Sequence, residues 1–294
     1  MVLSSNELKD IENKIIDLLN NEIGPIIKKR TGTTFGEYSD KTNSTDIVTE
    51  VDKSVEKKIK EFISENYPNF SFIGEETYIK GETKIGPEPT FIVDPIDGTT
   101  NFVHAFPFSC TSIGLSENGD SVLGVVYNPH IDQMFHGSKG NGSYLNGERL
   151  DVKKRPLDFT SSLVALESGY ERGDTGNFLI KSKLCKAMLS ENGAHVHGVR
   201  SLGSAAMNIC YAAAGYLDCY WEGGPWCWDV CASKCILEEA GGILVGGNKG
   251  VWDIHLNERV YLAVRGGTTE AEQKKYVEKF WSYLEGDLVY EYSH

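Results

Sequence analysis

No apolar run in this 294-residue chain approaches the ~18 residues needed to cross a bilayer. The opening stretch MVLSSNELKDIENKIIDLLNN carries neither the basic flank nor the continuous apolar core of a secretory signal. Cysteine is present seven times, an odd set without a paired CxxC framework, which excludes a disulfide scaffold and suits reduced thiols. Positive charge is scarce: 29 Lys plus Arg stand against 42 Asp plus Glu, a formal net charge of −13. Such a field repels nucleic acid and anionic lipid, so neither is expected as a partner. Repeats, low-complexity tracts and Pro/Ser-rich linkers are missing too, so the chain is expected to form one continuous body, and the lack of a signal or a spanning run places that expectation in the cytoplasm.

What is present is enough for a large core, with 40% hydrophobic and 11% aromatic residues. Ser4 and Glu7 make a capping box, and Leu8, Ile11, Ile15, Leu18 and Leu19 then recur at helical spacing until Gly24-Pro25. A second helix is predicted after Asp46, with Val51, Val55, Ile59, Phe62 and Ile63 on one side, ending at Pro68; residues 31–45 between the helices read as loop. Residues 71–74 and 90–93 look like buried strands. Residues 109–150, broken by Asn-Gly turns, predict an antiparallel meander. Beyond Pro156 the pattern alternates: strands at 163–166, 196–199, 216–221 and 243–245, and helices at 175–190, after Gly203-Ser204, and at 228–239. The expectation is a single α/β domain with an α+β half over about 1–156 and an α/β half over about 157–294. Cys227, Cys231 and Cys235 recur every four residues on one helix face; with no histidine joining them they are expected to pack as apolar side chains.

The chemistry concentrates in Phe91-Ile92-Val93-Asp94-Pro95-Ile96-Asp97-Gly98-Thr99-Thr100, which joins a buried strand to two carboxylates, a glycine and two hydroxyls. Asp94 is expected to leave the strand end, Pro95 to stiffen a turn, and Asp97 to return a second carboxylate to the same point. Gly98 permits close backbone approach, and Thr99 opens a helix with N–H groups able to hold a phosphate oxygen. Taken alone, the segment could be an Asx turn and a helix cap. Glu75 follows another strand and Asp229 starts another helix; several carboxylates converging from separate segments suit hard divalent cations, magnesium above all.

Gly74-Glu75-Glu76, Asp94-Pro95-Ile96-Asp97-Gly98-Thr99-Thr100-Asn101-Phe102 and Trp228-Asp229-Val230 through Glu239-Ala240-Gly241-Gly242 resemble the signatures of inositol monophosphatases. The resemblance covers nearly the whole chain, taking in Lys41, Asp46 to Thr49 and Asp52, and is nearest to eukaryotic members around residues 101–108. It implies a layered αβαβα sandwich, as in fructose-1,6-bisphosphatase, a homodimer, and lithium-sensitive, magnesium-dependent hydrolysis of inositol 1-phosphate. Implied ligands are Glu75, Asp94 and the Ile96 carbonyl for one magnesium, and Asp94, Asp97 and Asp229 for a second. Thr99, with Asp52 behind it, would orient the attacking water, with Glu75 counted as catalytic beside them; Glu75, Asp97, Gly98, Thr99, Ser204, Ala205, Glu222 and Asp229 would face the substrate. Relatives with the same motifs hydrolyse fructose 1,6-bisphosphate or adenosine 3′,5′-bisphosphate, which stand as alternative substrates. Gly224-Pro225-Trp226 departs from animal members, and Trp221, Trp226 and Trp228 are expected to be packing residues rather than a sugar platform.

Overall fold

The computed structural model describes residues 2–31, 38–40, 47–79 and 84–291. Helix α1 (Ser5–Leu18) has the expected capping box: the Ser4 hydroxyl accepts from the Glu7 N–H while Glu7 accepts from the Ser4 N–H. Gly24-Pro25 does not stop the helical path. The chain passes through a π-helical turn, Leu19–Ile23, into α2 (Gly24–Arg30), with Pro25 in the first turn, where a missing N–H costs little. Part of the expected loop is strand: β1 (Tyr38–Asp40) pairs antiparallel with β2 (Ile47–Thr49), while Lys41 and Asp46 lie outside the described residues. Thr49 then caps α3 (Glu50–Asn66).

The first sheet runs in order β3 (Ser71–Gly74), β4 (Thr90–Asp97), β5 (Cys110–Glu117), β6 (Asp120–Asn128), β7 (Gln133–Ser138), β8 (Gly142–Leu145), β9 (Glu148–Arg149). β3 and β4 are parallel, and the rest is the predicted meander. A short α4 (Thr99–Val103) joins β4 to β5. The second sheet is built from β10 (Leu163–Leu166), β11 (Gly198–Arg200), β12 (Cys219–Gly223), β13 (Ile243–Gly246) and β14 (Val260–Val264), in the order β11-β10-β12-β14-β13. Its helices are α5 (Gly176–Leu189), α6 (Ala205–Ala213), α7 (Cys227–Glu239) and α8 (Glu270–Trp281).

Two strands start later than their apolar runs suggest. Tyr216 and Leu217 donate back to the Tyr211 carbonyl and finish the end of α6, so β12 begins only at Cys219. β11 begins at Gly198 because the Val196 N–H is taken by the Met188 carbonyl near the end of α5. β14 and α8 have no counterpart in the sequence expectation, although Thr269 and Glu272 form a capping box at the head of α8.

Three buried clusters define the layers. Leu8, Ile15, Val55 and Ile59 of the first helices pack on Phe91, Leu115 and Val125 of the first sheet. Between the sheets, Ile209 of α6 and Val230 and Ile236 of α7 meet Val126 and Phe135 on one side and Tyr220 and Ala263 on the other. Leu184 of α5 and Val277 and Phe280 of α8 close the outer face of the second sheet against Val164 and Leu262. The result is an αβαβα sandwich, as expected.

α7 lies unusually close to the first sheet. A Cβ on Gly114 would sit 2.5 Å from Cys231 Sγ, and one on Gly124 would sit 1.9 Å from the Ala232 carbonyl oxygen. Ser112 and Ser121 donate their hydroxyls to the Trp228 and Cys231 carbonyls at 3.0 and 2.6 Å, fixing the helix along its axis. The seven cysteines are all free thiols, and Cys227, Cys231 and Cys235 are buried in this contact, as packing residues. Gly124→Ala must therefore lift α7 from the sheet; it is expected to cost about 3 kcal/mol or more, the upper range for overpacking, in urea unfolding. A loss under about 1 kcal/mol would mean that α7 has room to move.

Candidate metal centre

Residues three apart in a regular strand face opposite sides. In β4 they do not, because the ladder is irregular between Asp94, which opposes Ser112, and Asp97, which opposes Cys110: three residues of β4 span two of β5. This corrects the expected turn at Pro95. The strand continues through to Asp97, and Pro95 occupies the irregularity, where a strand tolerates proline. Asp229, in the first turn of α7, completes the group, and carboxylate oxygens of Asp94, Asp97 and Asp229 lie within 4.8 Å of one another. The Ile96 N–H donates to Asp94 Oδ1 at 2.9 Å and the Trp226 N–H to Asp229 Oδ2 at 2.6 Å.

Ser204 is 2% exposed, belongs to the cavity lining and bonds Asp97. Its hydroxyl donates to Asp97 Oδ2 at 2.6 Å and accepts from the Met207 N–H as the cap of α6, while the Ala206 N–H donates to the same carboxylate oxygen at 2.7 Å. Ala205, beside it, lines the cavity. Glu75 arrives by a different route. Parallel pairing sets Gly74 beside Val93, so the acids that follow lie side by side, Glu75 just past the end of β3 and Asp94 within β4, with the Glu75 N–H on the Val93 carbonyl at 3.1 Å. Glu75 stands beside the cluster of three rather than within it. The turn it occupies rests on Glu56, which accepts from the Glu76 N–H at 2.7 Å and fills the space a Cβ at Gly74 would need.

These carboxyls push one another upward. Burial, then the charges of Glu75, Asp229 and Asp97, hold Asp94 well above the carboxylate range; burial and Asp229 raise Asp97 to about 8; burial and Glu75 raise Asp229 to about 6. An all-oxygen set that cannot ionise together without a counter-charge fits a hard divalent cation. Asp52 is 1% exposed, not a surface charge. It closes the α3 capping box with Thr49, and burial raises it to about 6. The Thr99 hydroxyl lies 3.3 Å from Asp52 Oδ1 and 3.0 Å from the Ile96 carbonyl. Gly98 has φ +84°, and a Cβ there would meet the Gly203 carbonyl at 2.9 Å, so this position needs glycine.

The cluster opens into a cavity of about 940 Å³ whose lining includes Glu75, Asp97, Ala205, Glu222, Trp226 and Asp229. Glu222, half-buried at the end of β12, accepts from the Tyr220 hydroxyl at 2.5 Å, and burial followed by Glu167 raises it to about 8. The tryptophans divide. Trp221 is core, and so is Trp228, 4% exposed among Ile73, Ile92 and Cys231; Trp228 also lines the cavity together with the partly buried Trp226, the two stacked 5.2 Å apart at 13° with Tyr78 tilted on both. The sequence reading missed Glu167, which accepts from Ser201 Oγ, the Leu202 and Gly203 N–H groups and Asn208 Nδ2, and so holds the loop before α6. Its signal was available: an acid just beyond a short apolar run, as at Glu75.

A model of the inositol monophosphatase family matches residues 8–285. The chain is 59% identical over 292 residues to inositol monophosphatase 2 of Saccharomyces cerevisiae, covering 99% of this chain and 100% of that protein. It is 42% identical over 215 residues to inositol monophosphatase 1 of Bos taurus, covering 73% and 76%. Among solved structures, an inositol monophosphatase of Thermotoga maritima superposes with a TM-score of 0.77 at 27% identity, over 93% of this chain and 98% of that one.

Proposed function

The chain belongs to the inositol monophosphatase family and is a phosphatase of that kind; from that premise we propose that it hydrolyses inositol monophosphate to myo-inositol and phosphate, with magnesium and with sensitivity to lithium. The observation that carries the reading is the convergence of Asp94, Asp97 and Asp229, of which Asp97 and Asp229 line a cavity together with Glu75. Glu75, Asp94, Asp97, Asp229 and the Ile96 carbonyl would hold magnesium, which when bound neutralises phosphate charge, acidifies the attacking water and stabilises the leaving oxygen.

The chain's own groups do the rest. The Thr99 hydroxyl directs its proton to Asp52 or to the Ile96 carbonyl, so its oxygen lone pairs are left to orient the attacking water. Asp52, held at about 6 by burial, is matched to taking up a proton near neutral pH. The Gly98 and Thr99 N–H groups would bind the phosphate. Ala205 and Glu222 would meet the ring, while Ser204 keeps Asp97 in place. The same reading takes the enzyme to be a cytoplasmic homodimer that needs neither nucleic acid nor membrane; light scattering tests the stoichiometry. Among the described residues no helix is long and apolar enough to cross a membrane.

Phosphate release from inositol 1-phosphate, with magnesium or EDTA and with LiCl against a NaCl control, tests the proposal. Fructose 1,6-bisphosphate and adenosine 3′,5′-bisphosphate serve as competing substrates. No release from inositol 1-phosphate, or an equal rate in EDTA, would refute it. Glu222→Gln is expected to lower kcat/KM for inositol 1-phosphate by about 0.5–1.5 kcal/mol near pH 7, the range for a hydrogen bond between neutral groups, because the carboxyl is held at about 8, and to affect glycerol 2-phosphate much less. An equal loss on both esters would place Glu222 with the metal ligands.

A further inference from the structure

The turn that leads the cavity wall into α7, residues 223–226, offers three consecutive carbonyls, and a buried cation takes each. Lys181 on α5, 5% exposed, donates to the Gly223 and Ser168 carbonyls at 2.7 and 3.1 Å. Arg259, 4% exposed, donates Nε to the Pro225 carbonyl at 2.9 Å and reaches the Gly224 carbonyl through Nε and Nη2. The Gly224 N–H returns to the Arg259 carbonyl at 2.7 Å. The Arg259 guanidinium lies 3.5 Å from the centre of the Trp226 ring, whose own stack on Trp228 continues the column to the cavity.

Behind both cations runs the end of the described chain. The Tyr290 ring centre is 5.5 Å from Lys181 Nζ and 5.6 Å from the Arg259 guanidinium carbon, and its hydroxyl donates to Glu171 Oε2 at 2.7 Å. Arg259 Nη1 donates to the Glu291 carbonyl at 3.3 Å. Asn177 and Asn248 pair with the main chain of Val289 and Leu288 through both donor and acceptor. Leu288 and Tyr290 occupy the space a Cβ on Gly223 would need, at 2.4 and 2.6 Å, so tail and turn are in direct contact.

We propose that residues 288–291 form a positioning strap for the substrate wall. Tyr290, acting through Lys181 and Arg259, holds residues 223–226 in place and thereby sets where Trp226 and Glu222 stand. The strap braces one side of the cavity: Asp94, Asp97 and Thr99 belong to the first sheet and its short helix, which the strap does not touch, and the metal-site acid next to the strapped turn is Asp229, whose Oδ2 accepts from the Trp226 N–H at 2.6 Å. Its effect falls on the part of the substrate beyond the phosphate, and the choice of inositol 1-phosphate as probe rests on the function proposed above.

The test compares the full chain with Tyr290→Ala, Tyr290→Phe and a chain ending at Asp287. Steady-state constants are measured for inositol 1-phosphate and for glycerol 2-phosphate, together with the magnesium activation midpoint. Far-ultraviolet circular dichroism reads the exciton couplet of the Trp226–Trp228 stack, with Trp226→Phe as the reference lacking it. Tyr290→Ala and the shortened chain should raise KM for inositol 1-phosphate about tenfold with kcat within about twofold, the pattern of lost uniform binding. Glycerol 2-phosphate constants should stay unchanged, and the magnesium midpoint should move by less than about twofold, since Asp229 keeps its place in α7 and loses at most the Trp226 N–H; the couplet should weaken, and Tyr290→Phe should restore both couplet and KM. An unchanged KM for inositol 1-phosphate overturns the strap, as does a parallel loss on both esters with a shifted magnesium midpoint. If the full chain does not hydrolyse inositol 1-phosphate, the functional reading fails by itself. The couplet then decides: retention in Tyr290→Ala overturns the strap, and loss with recovery in Tyr290→Phe supports it.

Discussion

Asp94→Asn is expected to abolish nearly all phosphatase activity while the protein stays folded. The charges of Glu75, Asp229 and Asp97 all bear on Asp94, and the Ile96 N–H fixes one of its oxygens. An amide at this point is a neutral, poorer ligand for a hard cation, and loss of the ion's charge stabilisation costs several kcal/mol, about a hundredfold or more in turnover. Retention of more than about a tenth of wild-type turnover at saturating magnesium would contradict the assignment.

Stability should move the other way. In the metal-free protein Asp97 titrates near 8 when folded against 3.8 as its ordinary value, and Asp94 lies in the same direction. The folded chain therefore binds more protons than the unfolded one over that window, and stability is lost as pH rises from about 4 to 8. Asp94→Asn removes part of that loss, so in EDTA at pH 7.5 its melting temperature should equal or exceed that of the wild type. A markedly lower value would show that the carboxylate supports the fold itself.

The second large effect is structural and lies away from the cavity. Asp218→Ala should cost about 3–5 kcal/mol, the range for stranding one member of a buried ion pair. Asp218 Oδ1 accepts from Arg265 Nε at 2.7 Å and Arg155 Nη2 at 2.9 Å, and Oδ2 accepts from the Leu163 N–H at 2.9 Å. Arg265 is fully buried, so without Asp218 its charge has only the carbonyls of Arg155, Pro156 and Gly266 for company. Urea unfolding of the variant measures the loss, and the double change Asp218→Leu with Arg265→Met should recover most of it, because a packed apolar pair replaces a stranded charge. A single-variant loss below about 1 kcal/mol would mean that water reaches Arg265.

What could be read without coordinates was what neighbouring residues encode. The Ser4 and Glu7 capping box, the helical spacing of Val51, Val55 and Ile59, and the turns of the meander each lie within a few residues of one another, and each appears where it was expected. The motifs around Glu75, Asp94 and Asp229 pointed to the family for the same reason, as short strings. Tertiary structure decided the rest. Asp94 and Asp97 share a side only because β4 slips against β5 between them. Asp52 is buried because the first sheet and the Thr99 helix close over α3, and periodicity cannot tell such a residue from a solvated one. Trp221 and Trp226 look alike in the chain, yet one lies in the core and the other carries an arginine on its face at the cavity wall. Glu167, Lys181 and Tyr290 each act through at least one partner 34 or more residues away. Local spacing determines which elements form and which chemistry they carry; the closure of long loops around shared cores determines which side chains meet, and that information resides in no single stretch of sequence.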